Sequence, residues 1–333
     1  MSVPLDICVV GAGAIGGSLA VRMAVAGARV TVVARGAHAH AIRDRGLSLL
    51  SGEDRQTLRL PCVAQLHDVP PQDVAVVAVK ARDLVPLAPA LAGLLKPGGR
   101  IVFAMNGIPW WFGLTPGLRF PDVLQAVLDP GEALSRHVPL QTVIGAVVQF
   151  SAEVIAPGVV RGVANGRHGI VLGRAVGPCD GDSTLARFTA LLGAAGLEVR
   201  VRDDIRPEIW TKTLLSTSAG CVAALTGADL GVITEDADGF ALLSRLMAEG
   251  LAIGRALGLP VQEDADARLR FYRGKSVRPS MLQDMEAGRA LEIDGGLLAF
   301  ARIAETLRVD APCTQAVAAL IRLKDATARR ARG

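Results

Sequence analysis

The sequence predicts an α/β domain built on a parallel sheet, followed by an all-α domain. In the first half, continuous apolar runs such as Leu5–Val10 and Asp73–Val79 alternate with helical stretches, which is typical of parallel strands joined by crossover helices. After Asp203, apolar residues at helical spacing replace these runs. A length of 333 residues suits two domains, which we place at residues 1–203 and 204–333.

The predicted strands of the first half are apolar runs bounded by glycine, proline or charged residues. They lie at Leu5–Val10, Arg29–Ala34, Asp73–Val79, Arg100–Ala104, Val143–Phe150, Gly158–Val163, Ile170–Gly173 and Glu198–Val201. Helices are predicted at Gly16–Ala26 and Thr184–Ala195. In the second half, apolar spacings of three and four predict six helices. These lie at Ile205–Ala224, Gly239–Leu257, Asp264–Tyr272, Met281–Ala287, Gly295–Leu307 and Thr314–Arg330.

The composition excludes several classes of protein. The chain is 50% hydrophobic and 20% charged, which argues against disorder, and its aromatic content of 4% predicts an aliphatic core. A net charge of +4 without a dense basic block argues against nucleic acid as a partner, although the end of the chain, residues 326–333, is basic.

The cysteines and apolar runs indicate the compartment. Five scattered cysteines are typical of reduced thiols, and they show no zinc-site spacing, so we expect no metal. No apolar run reaches the length of a membrane span, and no signal peptide precedes the first strand. We therefore expect a cytoplasmic protein without a membrane partner.

The strongest local signal is the motif Gly11-Ala12-Gly13-Ala14-Ile15-Gly16, which follows the first strand and opens the first helix. The first glycine permits a tight turn, the second lets the backbone approach a pyrophosphate, and the third lets helix and strand pack closely. The helix N-terminus then offers free N–H groups to the phosphates. The motif predicts a Rossmann-type dinucleotide site rather than a merely flexible turn.

The end of the second strand indicates which dinucleotide binds. An acidic residue there would bind the ribose hydroxyls of NAD, but this sequence has Arg35. A guanidinium suits a 2′-phosphate because it offers paired donors and a fixed charge. We therefore predict NADPH as the cofactor, the alternative being a solvated loop arginine.

Two more polar side chains follow strands of the same predicted sheet. Lys80 follows Asp73–Val79, and Asn106 follows Arg100–Ala104 by two positions. Ligands of open parallel sheets bind at this carboxyl edge. Lys80 could neutralise a phosphate or carboxylate, and Asn106 could bind the nicotinamide, its ribose or the substrate, although each is also compatible with ordinary loop chemistry.

In the helical half, Lys212 lies near the start of an almost uncharged helix. Isolated burial of a charge is costly, so this lysine needs a partner or a function. Burial can bring the pKa of a lysine ammonium towards about 7–8, which would suit protonation of an alkoxide. The structural alternative is a lysine that reaches solvent along its stem. Ser280 and Glu292 could likewise serve a site, or could cap a helix and lie on the surface.

Together these residues resemble the ketopantoate reductase family (2-dehydropantoate 2-reductases). The resemblance runs from residue 5 to about residue 325, and its more specific elements are Glu208-Ile209-Trp210-Thr211-Lys212, Ser280-Met281-Leu282-Gln283-Asp284 and Glu292-Ile293-Asp294. It implies NADPH-dependent reduction of a 2-keto acid, namely ketopantoate to pantoate. It also implies a homodimer.

The resemblance also implies roles for individual residues. Lys212 would be the proton donor, and Glu292 would hold the cofactor and the catalytic geometry. Asn106 and Ser280 would contact cofactor or substrate, whereas Arg35 and Lys80 would serve NADPH.

Three positions depart from the family's asparagines. They are Ser216, which could still offer a hydroxyl to the substrate, and Gly220 and Leu230, which offer no side-chain hydrogen bond. Lost partners can change substrate choice, so restoring asparagine at position 220 would improve turnover of ketopantoate if the missing amide limits its recognition. Trp110 and Trp111 could pack, reshape the pocket or form a subunit contact.

Three other interpretations stay open. One is a reductase of a different 2-keto acid, and a second is a β-hydroxyacid dehydrogenase, which would favour oxidation. The third is an NADPH-binding sensor without catalysis, against which Lys212 and Glu292 argue.

Overall fold

The computed structural model describes the chain in two stretches, residues 3–163 and 168–330. These divide into two compact units. The α/β unit contains the described residues up to Met105 together with Gly131–Ile205, and the helical unit contains Asn106–Pro130 and the described residues after Ile205. The sequence did not indicate that Asn106–Pro130 belongs with the helices, because this stretch lies between two predicted strands.

The strands and helices are numbered here in chain order over the described residues. The strands are β1 Asp6–Val10, β2 Arg29–Val33, β3 Leu47–Ser51, β4 Asp54–Leu58, β5 Cys62–Val63, β6 Gln72–Val77, β7 Leu95–Phe103, β8 Val143–Val148, β9 Ser151–Ala156, β10 Val159–Val163, β11 Gly169–Arg174 and β12 Glu198–Val201. The helices are α1 Ala14–Val25, α2 Gly36–Arg45, α3 Ala88–Ala92, α4 Asp122–Leu128, α5 Ser183–Ala194, α6 Arg206–Thr226, α7 Leu230–Glu235, α8 Ala237–Leu257, α9 Ala265–Arg270, α10 Ser280–Glu286, α11 Leu297–Leu307 and α12 Pro312–Arg330.

The main sheet of the α/β unit has the strand order β12-β11-β8-β7-β6-β1-β2-β5. Its inner strands are buried, and valine and isoleucine dominate them, as expected for parallel strands. One pairing differs from the all-parallel expectation, since β11 runs antiparallel to β8. The physical reason is the connection: β9 and β10 lie between these strands in the chain, in place of a crossover helix.

A second sheet, with the order β4-β3-β10-β9, was not expected from the sequence. Gly158–Val163 was predicted as a strand, but its place in this sheet was not. The strand β4 is exposed and polar, so it gives no apolar run to detect. The sheet packs on α1, where a Cβ at Gly17 would lie 2.9 Å from Val160 Cγ2. This contact brings the second sheet beside the glycine-rich loop.

The core of the helical unit contains an aromatic cluster, which corrects the expectation of an aliphatic core throughout. Trp210 on α6 stacks on Phe112 at 6.2 Å between ring centroids and meets Phe300 edge to face at 4.5 Å. Its indole N–H donates to the Gly250 carbonyl at 2.9 Å. Most of the few aromatic residues are therefore concentrated here, and the α/β core is largely aliphatic, with Phe150 and Phe188 as its aromatic members.

Trp110 and Trp111 are both buried inside the helical unit. A buried ring presents no surface to a second subunit, so these tryptophans no longer support a dimer. Among the described helices, none is both long and apolar enough to span a bilayer. The basic end of the chain is helical up to Arg330, and its last three residues, 331–333, lie outside the described part.

Candidate active site

The glycine-rich loop joins β1 to α1, and its three glycines have different environments. Gly11 has a φ of +93°, and a Cβ there would lie 2.8 Å from Val79 Cγ1. A Cβ at Gly16 would lie 2.0 Å from the Gly11 carbonyl oxygen, so only glycine lets the helix begin this close to the strand. At Gly13 no described atom beyond its neighbours lies within 4 Å of the Cβ position, so this side of the loop is open.

The loop leads directly into the N-terminus of α1. Gly13 is the N-cap residue, and the first turn contains no acidic side chain. The unpaired N–H groups and the helix dipole give this end a partial positive charge. The arrangement can hold an anion such as a pyrophosphate.

A cavity of about 400 Å³ opens beside the loop. Gly11–Gly13 lines one part of it, and Arg35 and His38 line another, at the start of α2. Leu66 and Leu87 add apolar walls. The cavity is therefore lined by the loop, a cation and apolar side chains, all within the α/β unit.

Arg35 is exposed and is the N-cap residue of α2. The strand before it is fixed to the glycine-rich loop, because the Gly11 N–H donates to the Val33 carbonyl at 3.0 Å. Parallel pairing of β1 with β2 places both carboxyl ends at one edge of the sheet. The structure thus brings Arg35 to the glycine-rich loop, as the motif spacing predicted.

Lys80 follows the neighbouring strand β6 at the same edge. The Ala78 N–H donates to the Val10 carbonyl at 2.9 Å, which fixes this connection to the end of β1. Lys80 itself is half-buried. The carboxyl ends of β2, β1 and β6 therefore carry Arg35, the loop and Lys80 side by side.

The remaining predicted residues belong to the helical unit, where Asn106 and Glu292 lie on two joined loops. The Ile108 N–H donates to the Gly295 carbonyl at 2.9 Å. Gly107 has a φ of +91°, and a Cβ there would lie 3.2 Å from that same oxygen. Both Asn106 and Glu292 are exposed, so their side chains are accessible to a ligand.

Lys212 and Ser216 lie one turn apart on the same face of α6, and both are half-buried. The Ser216 hydroxyl donates to the Thr213 carbonyl at 3.1 Å, so its proton is used within the helix and its oxygen can accept. The loop carrying Glu292 reaches this helix, because a Cβ at Gly296 would lie 2.7 Å from Thr217 Cγ2. Asn106, Lys212, Ser216 and Glu292 thus lie on three connected segments.

Ser280 is the first residue of α10 and is exposed. The next residue, Met281, packs on α6, and its Cβ lies 3.2 Å from the Cβ position of Gly220. Leu230 is buried, and its N–H donates to the Val277 carbonyl at 2.9 Å. Neither position 220 nor position 230 adds a polar side chain to the helical unit.

Comparison with known proteins covers both units. The family described as ketopantoate reductase PanE/ApbA matches residues 7–176, and its C-terminal family matches residues 204–325. A 2-dehydropantoate 2-reductase from Mesorhizobium japonicum is 36% identical over 323 residues, which cover 96% of this chain and 97% of that protein. The chain belongs to the ketopantoate reductase family. As a ketopantoate reductase family member, it is an NAD(P)-dependent oxidoreductase of the 2-dehydropantoate 2-reductase type.

Solved structures show the same family fold. A candidate ketopantoate reductase from Ralstonia solanacearum has a TM-score of 0.88 at 34% identity, covering 98% of this chain and 99% of that one. A PanE/ApbA family ketopantoate reductase from Ralstonia eutropha has a TM-score of 0.81 at 25% identity, covering 98% and 100%. D-mandelate dehydrogenase, solved with NADH and anilino(oxo)acetate, shares the fold with a TM-score of 0.83 at 18% identity, covering 98% and 100%.

One cavity residue of this ketopantoate reductase family member was missed by the sequence analysis. His38 lies three positions after Arg35, and its ring contacts the backbone of the glycine-rich loop. No motif marks it, because both of its ring contacts are to backbone groups, one of them 120 residues away in the chain.

Proposed function

We propose that this chain catalyses the NADPH-dependent reduction of a 2-keto acid, and that the acid is 2-dehydropantoate (ketopantoate). The observation that carries the proposal is a cavity with the glycine-rich loop on one side and Arg35, after the neighbouring strand, on another. Family membership supports the keto acid, because the matching family and the Mesorhizobium japonicum relative are both named for this reduction.

The described residues of the α/β unit fit a dinucleotide. Open space over Gly13 and the N-terminus of α1 suit a pyrophosphate. Leu66 and Leu87 give the cavity apolar walls that suit a flat ring. When bound, the nicotinamide supplies a hydride to the keto carbon.

Arg35 supports NADPH over NADH. Arg35 is exposed and lines the cavity, and its guanidinium carries a fixed charge with paired donors, which suits a 2′-phosphate. The neighbouring D-mandelate dehydrogenase structure contains NADH, so the fold alone does not set the preference. Lys80, at the same edge of the sheet, is the second cation proposed to face the cofactor phosphates.

Lys212 is the proposed proton donor. As the keto group is reduced, negative charge develops on its oxygen, and an ammonium there both stabilises that charge and supplies the proton. These interactions are strongest in the transition state, so they raise kcat. The half-buried position of Lys212 on α6 is suited to this role, because partial burial strengthens its interaction with the oxygen.

The other residues of the helical unit are proposed to bind and orient. Asn106 would donate its amide to the cofactor or the keto acid, and Ser216 and Ser280 would offer hydroxyl groups to the substrate. Glu292 would hold the catalytic geometry from the loop that contacts α6 at Thr217. Each of these side chains is exposed or half-buried, and so each is within reach of a ligand.

A second candidate substrate is a 2-keto acid with an apolar side chain. Ketopantoate carries a hydroxyl group that a specific site would bind, yet Met281 occupies the space beside Gly220 and Leu230 is buried. A site without a hydrogen-bond partner for that hydroxyl would not give ketopantoate a higher kcat/KM than simpler 2-keto acids.

The test is turnover of a panel of 2-keto acids by the purified protein, with NADPH and with NADH. The proposal predicts the highest kcat/KM for ketopantoate with NADPH. A higher value for an unsubstituted or branched aliphatic 2-keto acid would favour the second candidate. Binding of NADPH without turnover of any 2-keto acid would contradict both.

The assembly and location are also proposals. The family resemblance supports a homodimer in the cytoplasm, without nucleic acid or membrane as a partner. Light scattering of the purified protein measures its mass directly, and a value near 34.6 kDa would indicate a monomer.

A further inference from the structure

We propose that His38 is a positioning residue that orients the Ala12–Gly13 peptide of the glycine-rich loop for nucleotide binding. The proposal rests on the proposed function in one respect, namely that a dinucleotide occupies the cavity beside the loop. The contacts of His38 that support this role all lie within the α/β unit.

The His38 ring joins two backbone segments. Its Nε2 lies 2.7 Å from the Ala12 carbonyl oxygen, and its Nδ1 accepts the Gly158 N–H at 3.1 Å. A carbonyl oxygen can only accept, so Nε2 must carry a proton. Because Nδ1 accepts at the same time, the ring is the neutral tautomer with its proton on Nε2.

The segment on the far side of the ring is itself held in place. Gly158, with a φ of +79°, lies in the turn between β9 and β10, and its carbonyl accepts the Ser48 N–H at 2.9 Å. A Cβ there would lie 3.1 Å from the Ala41 Cβ, so the turn packs against α2. His38 is therefore oriented by the second sheet and transmits that orientation to the loop.

The direction of the Ala12 carbonyl decides what the loop offers to a phosphate. A peptide group is planar and trans, so its C=O and the following N–H point in opposite directions. With the Ala12 carbonyl bound to His38, the Gly13 N–H points away from the ring and remains available to an anion. If this peptide rotated, it would replace that donor with an oxygen, which repels phosphate.

Gly17 leaves room for the same carbonyl. Its Cβ position lies 3.0 Å from the Ala12 carbonyl oxygen, so a larger residue would crowd that oxygen. The carbonyl thus lies between a glycine of α1 and the imidazole of α2. Gly17 thus admits the carbonyl in this orientation, and His38 supplies a hydrogen bond that favours it.

The pyrophosphate is common to NADPH and NADH, so the role of His38 predicts a characteristic pattern. Loss of His38 should weaken both nucleotides equally, whereas loss of Arg35 should weaken NADPH selectively. Removing one hydrogen bond from a buried carbonyl costs about 1–3 kcal/mol, which corresponds to a roughly 5- to 150-fold rise in Kd if the whole cost is met on binding.

The experiment measures Kd for NADPH and NADH by fluorescence titration of the full chain without keto acid. His38→Ala should raise both Kd values about 10-fold. His38→Gln retains an amide N–H near the Nε2 position and should restore most of the binding, whereas His38→Asn reaches only the Nδ1 position and should behave as alanine does. His40→Ala, an exposed histidine on the same helix, is the matched control and should change neither Kd.

Thermal unfolding without nucleotide separates positioning from folding. If the glutamine and asparagine variants unfold at similar temperatures but differ in Kd, the loop orientation accounts for the difference. Unchanged binding by His38→Ala, or equal binding by the glutamine and asparagine variants, overturns the role of His38 alone. A wild-type chain that binds neither nucleotide overturns the proposed cofactor as well.

Discussion

Met281 fills the space into which a side chain at position 220 would project. A Cβ on Gly220 would lie 3.2 Å from the Met281 Cβ, and the Met281 Sδ lies 3.7 Å from the Cys221 Sγ. The Cβ atom of Met281 cannot move by side-chain rotation, so only a shift of α10 relative to α6 would make room. The absence of a side chain at Gly220 is therefore part of the packing of the helical unit.

The first prediction follows from this contact. Gly220→Asn should lower the free energy of unfolding by about 1–3 kcal/mol and should not raise kcat/KM for ketopantoate, because the amide has no room. This reverses the expectation from the sequence that asparagine here would improve turnover. Chemical denaturation and steady-state kinetics measure the two effects.

The double variant Gly220→Asn/Met281→Ala is the matched test of the steric cause. It keeps the Met281 Cβ but removes Sδ and Cε, which each lie 3.8 Å from the Gly220 Cβ position. The amide group beyond Cβ therefore gains room, and the double variant should recover the part of the stability that is lost through these two atoms. A stable single variant with improved kcat/KM would show that α10 moves to admit the amide.

The second prediction concerns Arg35. Arg35→Ala should raise the KM for NADPH about 10- to 100-fold, the size expected for a charge-assisted hydrogen bond to phosphate, and should change the KM for NADH much less. Arg45→Ala, an exposed arginine at the other end of α2, is the control. If the wild-type enzyme had equal kcat/KM for NADPH and NADH, this would contradict binding of the 2′-phosphate by Arg35.

The third prediction concerns acid stability of the α/β unit. Hydrogen bonds from Arg29 and Lys96 lower the pKa of Asp6 from 3.8 to about 2. A carboxyl with a lowered folded-state pKa stabilises the fold above its unfolded pKa, and this contribution disappears as the pH falls through the folded pKa. The ionised carboxylate therefore stabilises the fold at neutral pH and ceases to do so towards about pH 2.

Asp6→Asn should accordingly be less stable than wild type at neutral pH, and the difference should shrink between about pH 5 and pH 2. The effect should be modest, because Arg29 is largely exposed and solvent screens the pair. Unfolding midpoints measured across this range test it, with Asp44→Asn as the exposed control. A stability difference that stays constant with pH would mean that Asp6 acts through packing and not through its charge.

The strands that could be predicted are those whose own sequence shows a recognisable pattern of apolar residues. The boundaries of β12 match the prediction, and β1 and β2 differ by one residue at one end. The strands β1 and β2 are nearly continuous apolar runs, whereas β12 alternates charged residues with valines. The strand β4 is polar and exposed, so its pairing with β3 depends on the tertiary fold. The same holds for the antiparallel β11, whose direction depends on the hairpin before it.

The candidate site likewise contains residues that local sequence predicts and residues that only the tertiary structure reveals. Glycine spacing predicted the loop, and the position after β2 predicted Arg35, because both depend on local sequence. His38 could not be predicted, since it acts through two backbone groups, one of them 120 residues away in the chain. The crowding that a side chain at position 220 would meet could not be predicted either, because it comes from Met281, which is distant in sequence.

The fourth prediction separates proton donation by Lys212 from binding. Lys212→Arg keeps a positive charge but is a poor acid, so it should retain keto acid binding better than Lys212→Ala while recovering little turnover. Lys324→Ala, which removes an exposed lysine from α12, is the control for loss of charge in the helical unit. Recovery of turnover in the arginine variant would show that charge alone is needed at this position.

The most direct test of the proposed mechanism compares kcat with the Kd for NADPH in Lys212→Ala. The proton-donor role predicts that kcat falls by about 10²–10⁴-fold or more, while the Kd for NADPH stays nearly the same. The nucleotide should be retained because the glycine-rich loop, Arg35 and Lys80 are proposed to hold it. A Lys212→Ala enzyme with kcat within a few-fold of wild type would show that another group or water delivers the proton, and it would contradict the mechanism.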